Sequence, residues 1–319
     1  MTPAARPASD VGARIRPGAP PSGLRVERDE VTLDVADAGP RSAPAVLLVS
    51  GLGAQRTDWP VELLAGLRAA RLRVVTVDNR DAGCSTWLDH RPGTLEDLRA
   101  YQRGEPFAVP YRLEDLAADL VGVLDHLGVG VAHVVGQSMG GMVAQRLAIG
   151  WPGRVASLTS VMSTTGASDV GQPTPEVLEV MAGPSPTERT AWIEANVARS
   201  RLTNSPTLFD PVRARARFAA AWDRGGINPA GKLRQLLAIA ADGDRTPALR
   251  GLDVPTLVVH GRRDPVVDVS GGHATAAAVP GARLLELEEM AHDLPLPLLA
   301  TITGAVVAHV RHAASRPPA

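Results

Sequence analysis

Between residues 45 and 161 the chain alternates short, wholly apolar runs with longer amphipathic ones. This alternation restricts the fold more than any other feature. Ala45–Ser50, Val74–Asp78, Val131–Val135 and Val155–Val161 each read as a strand with almost no polar side to turn to water. Such strands must be covered on both faces, the condition of a parallel sheet between two helical layers. The intervening stretches supply those layers. Residues 59–70, Leu113–Leu127 and Met142–Ile149 carry apolar residues at helical spacing, and Gly128 stands where the second would stop. Leu24–Arg28 and Val31–Asp37, with an acidic turn between them, add two strands before this block. Thr256–His260 and Arg283–Leu287 add two after it, and a last helix runs from about Leu294 to Val310. The expected class is α/β, with a mostly parallel eight-stranded sheet and helices on both faces.

From Ser163 to about Arg250 the strand signal disappears. Seven prolines, from Pro173 to Pro229, divide helical stretches of which those holding Trp192 and Trp222 are the most regular. This block reads as a helical insertion, a cap, after the sixth strand. The core is then 24–162 and 251–313, and the cap 163–250. Residues 1–23 are proline-rich, contain three arginines and lack a continuous apolar stretch. They read as a disordered tail rather than a secretory signal.

Composition excludes several function classes. Thirty-three basic against 34 acidic residues leave a net charge of −1, so no general attraction to nucleic acid or anionic membrane is expected. Lys232 is the only lysine among the basic residues, a skew from which no function is drawn at this level. The single cysteine, Cys84, forms no internal disulfide, supports no cysteine-based zinc site and fits a reducing, cytoplasmic setting. No apolar run reaches the roughly 18 residues of a membrane span. No His-Glu-x-x-His and no carboxylate cluster with calcium spacing occurs, so neither metal nor cofactor is expected.

The chemistry concentrates at Gly136-Gln137-Ser138-Met139-Gly140, between an apolar strand and a helix. A chain turning that abruptly holds its central residue in a strained conformation. Glycines two positions either side remove side chains that would strike neighbouring backbone. Ser138 then stands above the sheet at a helix N-terminus, where developing negative charge is stabilised. A serine hydroxyl needs a base. Of eight histidines, His133 falls in a strand and His126 in a helix, and His260 ends a strand. His309 and His312 lie near the C-terminus, whereas His292 occupies a loop after the last strand. An orienting carboxylate is offered by Asp264, just past a strand in His260-Gly261-Arg262-Arg263-Asp264-Pro265, with Asp268 as the alternative. Ser138, Asp264 and His292 occur in the chain order that the strand–serine–helix motif requires.

On these residues the chain resembles an α/β-hydrolase from residue 24 to 313. Ser50-Gly51-Leu52-Gly53 is similar to the family's His-Gly-x-Gly oxyanion loop, with serine in place of histidine. Asp78–Ser85 and Gly136–Gly141 resemble a bacterial branch of aclacinomycin methylesterase-like enzymes. The resemblance implies a Ser138–Asp264–His292 triad and an oxyanion hole formed by the backbone N–H groups of Leu52 and Met139. Gly51 and Gly53, and in the cap Trp192, Phe218 and Trp222, are the candidate substrate-binding residues. The expected activity is cleavage of carboxylic esters of small to medium apolar molecules. Carbon–carbon bond hydrolysis and cofactor-free perhydrolysis run on the same triad and stay open, as does a receptor-like hydrolase without turnover.

A dinucleotide-binding oxidoreductase is the reading from another class. Gly51-Leu52-Gly53-Ala54-Gln55-Arg56 follows a strand and precedes a helix, and Asp78 ends the next strand. Against it, Arg56 replaces the third glycine, and Gly136–Gly140, Asp264 and His292 go unexplained. Asp78 and Asp81 read instead as loop-stabilising charges paired with Arg80 or another arginine, and Met139 and Met142 as packing. The partner is a small-molecule ester, and oligomeric state is open.

Overall fold

The structure, a computed structural model, describes residues 23–315 apart from Pro184. The expected tail lies outside these residues except for Gly23. Eight strands form one sheet: β1 (Leu24–Arg28), β2 (Val31–Ala38), β3 (Ala45–Val49), β4 (Arg73–Val77), β5 (Ala132–Gln137), β6 (Val155–Val161), β7 (Thr256–Gly261) and β8 (Arg283–Leu287). Their order is β1-β2-β4-β3-β5-β6-β7-β8. β1 and β2 pair antiparallel, as do β2 and β4, and every later pairing is parallel. The helices described are α1 (Val61–Ala69), α2 (Leu95–Gln102), α3 (Leu113–His126), α4 (Met139–Gly150), α5 (Pro175–Ala182), α6 (Arg189–Thr203), α7 (Pro211–Gly225), α8 (Pro229–Asp242), α9 (Thr246–Leu249), α10 (Val269–Ala278) and α11 (Leu299–Ala314).

All five residues of β3 are buried because the two-residue period sends alternate side chains into two different cores. Leu47 and Val49 join Leu116, Leu120, Val143 and Leu147 under α3 and α4. Val46 and Leu48 join Leu63, Leu67, Ile302 and Val306 under α1 and α11. The chain leaves β3 toward β4 on one side and returns to β5 on the other. The C-terminal ends of β3 and β5 therefore meet at the point where the winding direction reverses, the usual crevice of an open α/β sheet.

Several boundaries differ from expectation for local reasons. α4 starts at Met139, directly after Ser138, because the glycines at 140 and 141 are absorbed into its first turn. The last helix begins at Leu299 rather than near Leu294, since Pro295 and Pro297 hold the preceding residues in extended and 3-10 geometry. α2 and α10 were not expected. α2 buries only Ala100, and the buried positions of α10 are Gly271, Gly272, Thr275 and Ala278, so neither carries a large apolar stripe.

Between β6 and β7 the described residues hold α5–α9 and no strand. Buried ion pairs hold this helical segment to the sheet. Arg224 of α7 pairs with Asp34 and with Asp78, the latter at 2.9 Å. Arg234 of α8 forms a two-pronged pair with Asp81 at 2.8 and 2.6 Å. Asp78 and Asp81 are thus loop-stabilising charges, but their arginines come from the helices above, while Arg80 pairs with Asp119 at 2.8 Å. Breaking such a pair from one side strands a buried charge, which costs several kcal/mol.

His133, on β5, is 5% exposed and shares a 2.8 Å hydrogen bond with Ser157. Burial, aided by the charge of His309, lowers its pKa from 6.5 to about 4. The unfolded chain therefore takes up this proton first, and folding stability contributed by neutral His133 is complete above pH 6.5 and lost as pH falls toward 4. Urea denaturation should show up to about 3 kcal/mol lost across that window, and His133→Gln should flatten this segment of the curve.

Candidate active site

Ser138 caps α4 with φ 53° and ψ −124°, a left-handed conformation that costs a non-glycine residue roughly 1–3 kcal/mol. Neighbouring contacts hold it there. Its N–H donates to Val161 O at 2.9 Å, and its carbonyl accepts the Ser163 hydroxyl at 2.9 Å and Gly141 N–H at 2.8 Å. The flanking glycines are there for space. A Cβ on Gly136 would overlap the carbonyl of Gly140, and one on Gly140 would overlap the carbonyl of Val49. Backbone cannot move aside as a flexible side chain can.

The hydroxyl faces a histidine and, behind it, a carboxylate. His292 Nε2 lies 3.0 Å from Ser138 Oγ, and His292 Nδ1 lies 2.7 Å from Asp264 Oδ2. Asp264 is held by its other oxygen, which accepts Val266 and Val267 N–H groups at 2.9 Å each. An ionised carboxylate can only accept, so Nδ1 carries the histidine proton and Nε2 presents its lone pair to the serine hydroxyl. Asp268 is occupied otherwise: it caps α10, accepting Ser270 N–H at 2.9 Å.

The loop after β3 lies against this serine. A Cβ on Gly51 would stand 3.3 Å from Ser138 Cβ and 3.8 Å from its Oγ. Gly53, at φ 67°, donates its N–H to Gln235 Oε1 of α8 at 2.8 Å, and Asn79 Nδ2 donates to Ser50 O at 3.0 Å. Among the described residues no acceptor takes the N–H of Leu52 or of Met139. Trp192, Phe218 and Trp222 lie in α6 and α7 and pack on one another, with ring centroids 5.8 Å apart for Trp192–Phe218 and 5.5 Å for Trp192–Trp222. Met139 and Met142 are buried in the core beneath α4.

Sequence reasoning missed how the histidine loop is held. His292 N–H donates to Thr203 O at 3.0 Å, at the end of α6. Asp293 accepts Ser205 N–H at 3.0 Å and the Ser205 hydroxyl at 2.5 Å, and Ser205 Oγ in turn accepts Ala291 N–H at 3.0 Å. Burial raises the Asp293 pKa, against the lowering by its Ser205 bonds. The adjacency of Asp293 to His292 was the one visible hint. His260 was also missed. It is buried in β7, donates Nε2–H to Val267 O at 2.8 Å and is held neutral by burial, so it props the turn that carries Asp264.

Asp34, Asp78 and Cys84 bring their donor atoms within 4.8 Å of one another. Arg56 and Arg224 already supply the positive charge between those carboxylates, and burial pushes the thiol pKa up, which disfavours the thiolate a metal would need. The same arginine occupies the carboxylate that a dinucleotide ribose would require.

Two outcomes follow from this geometry. Gly140→Ala should abolish turnover, with protein recovered folded only if β3 shifts, as far-UV circular dichroism and activity together would reveal. Asp293→Ala should loosen the His292 loop, lowering kcat about 10- to 100-fold while leaving the unfolding midpoint within a few degrees.

Residues 44–296 match the alpha/beta hydrolase fold family. The chain is 29% identical over 312 residues to rhodomycin D methylesterase DnrP of Streptomyces peucetius, covering 90% of this chain and 98% of that protein. It is 25% identical over 257 residues to 3-oxoadipate enol-lactonase 1 of Acinetobacter baylyi, covering 77% and 80%. Among solved structures it is similar to a meta-cleavage product hydrolase from Pseudomonas fluorescens IP01. That likeness has a TM-score of 0.71 and 19% identity, and covers 91% and 98% of the two chains.

Proposed function

This chain belongs to the α/β-hydrolase fold family, and we propose that within it the protein is a serine hydrolase of carboxylic esters of small to medium, largely apolar molecules. The observation that carries the reading is the unbroken chain Asp264–His292–Ser138, at 2.7 and 3.0 Å, on a serine held at positive φ. The similarity to a protein named as a methylesterase supports an ester as the substrate.

Ser138 Oγ attacks the ester carbonyl as His292 Nε2 takes its proton, and the carbonyl π pair moves onto oxygen. The backbone N–H groups of Leu52 and Met139 receive that oxyanion, assisted by the N-terminus of α4. Collapse of the tetrahedral adduct expels the alcohol, protonated by His292, and leaves an acyl-serine. Water, deprotonated by His292, then releases the acid and restores Ser138. Asp264 keeps the histidine in the required tautomer and stabilises its cation throughout. No metal or cofactor enters these steps. Trp192 and Phe218, only partly buried, with Trp222 behind them, form a cap-side wall for the apolar part of the substrate.

Among the described residues no helix is long and apolar enough to cross a membrane. The single cysteine supports a cytoplasmic setting, and the net charge of −1 a small-molecule partner rather than nucleic acid.

Ser138→Ala should lower kcat on methyl and aryl esters by roughly 10⁴- to 10⁶-fold, and an organophosphonate should label wild-type Ser138 stoichiometrically. Near-normal turnover of an aryl ester by the variant would overturn the reading.

A further inference from the structure

The chain has one lysine, and it stands beside the candidate oxyanion loop. Lys232 lies on α8, one turn beyond its N-cap Asn228. A Cβ on Gly53 would meet Lys232 Cγ at 3.3 Å, Cδ at 3.4 Å and Cβ at 3.7 Å, so the lysine stem lies along that glycine. Gln235, three residues on and on the same face of α8, clamps the N–H of Gly53 at 2.8 Å. Gly51, two residues back, is against Ser138. The lysine stem is thus laid on the loop whose Gly51 stands against Ser138.

The electrostatics of this position are unusual. Arginines of α7 and α8 enter ion pairs: Arg224 with Asp34 and Asp78, Arg234 with Asp81, Arg213 with Glu62. Among the described residues Lys232 has no hydrogen-bond or ion-pair partner, and Asp81, near the same turn, is spent on Arg234 and Tyr111. A cation near a helix N-terminus is also placed against the helix dipole. The side chain is accessible to solvent, yet surrounding protein lowers its pKa by desolvation, and the positive charge of Arg199 on α6 lowers it further. The lysine and the helix end are both positive, and among the described residues no carboxylate pairs with the lysine.

We propose that Lys232 is the anchor for an anionic group of the substrate, so that the ester cleaved carries a free carboxylate within reach of the scissile carbonyl. This rests on the serine-esterase reading and refines its substrate class: an apolar body held by the cap, with one acid group at Lys232. A compact ammonium on a flexible stem suits a point contact with a carboxylate, where the broad guanidinium used elsewhere in the chain favours two-pronged pairing. An arriving anion supplies the missing counter-charge and restores the charged lysine.

Paired substrates test this directly. 4-Nitrophenyl hydrogen adipate is compared with its methyl-capped neutral counterpart, and 3-acetoxybenzoate with its methyl ester, so that the carboxylate lies on the acyl or the alcohol side. The wild-type enzyme should favour the anionic member of at least one pair by about 10- to 100-fold in kcat/KM, and Lys232→Met should collapse that ratio toward one. A merely structural lysine would lower both members alike and keep the ratio. Binding is read separately in Ser138→Ala: trinitrobenzenesulfonate modifies Lys232, identifiable because it is the only lysine, and adipate or its monoester should protect it. Turnover of neutral aryl esters with neither preference nor protection overturns the anion anchor and leaves the esterase reading standing. Protection of Lys232 with full activity in Ser138→Ala does the reverse.

Discussion

The turn that carries Ser138 sets the spacing of everything around it. A non-glycine residue at φ 53° is held there by bonds to β6 and by contacts in which backbone meets backbone without an intervening Cβ. Those contacts bring Gly140 onto the carbonyl of Val49 and Gly51 onto Ser138, with no room for a side chain between them. The hydroxyl, the start of α4 and the loop after β3 are thereby held side by side. Because the adjoining cores are tightly filled, this turn has little freedom to relax.

A second constraint ties the helices between β6 and β7 to this centre. Arg224 and Arg234 reach from α7 and α8 to buried aspartates within β2 and in the loop after β4, and Gln55 Nε2 donates to Ala221 O at 2.7 Å. From the other side, α6 and the segment after it hold the His292 loop through Thr203 and Ser205. The helical segment is thus tied to the sheet on one side and supports the His292 loop on the other. Buried charge pairs of this kind add less to net stability than to the uniqueness of one arrangement, since mispairing leaves a charge stranded.

Much of this was legible in the chain itself. The eight strands follow from apolar runs of strand length, and Ser138 from glycines at fixed offsets between a strand and a helix. His292 and Asp264 follow from their positions after strands, in the order that motif demands. Where the reading failed, the local signal was absent. α2 and α10 bury glycine, alanine and threonine and so show no stripe, and prolines moved the start of α11. Asp78 and Asp81 were legible as stabilising charges, but their partners, Arg224 and Arg234, lie roughly 150 residues away in the chain. Nothing local connects those positions.

The amino-acid sequence by itself determined the periodicities, the turn chemistry and the order of the reactive residues, because each depends on neighbours a few positions apart. Only the tertiary structure decided which carboxylate meets His292. It also decided which arginine meets which aspartate, and that the lone lysine stands by Gly53 with no counter-charge. Such pairings depend on chain crossings that bring distant residues into a desolvated space, where an ion's partner, or lack of one, carries a large free-energy difference.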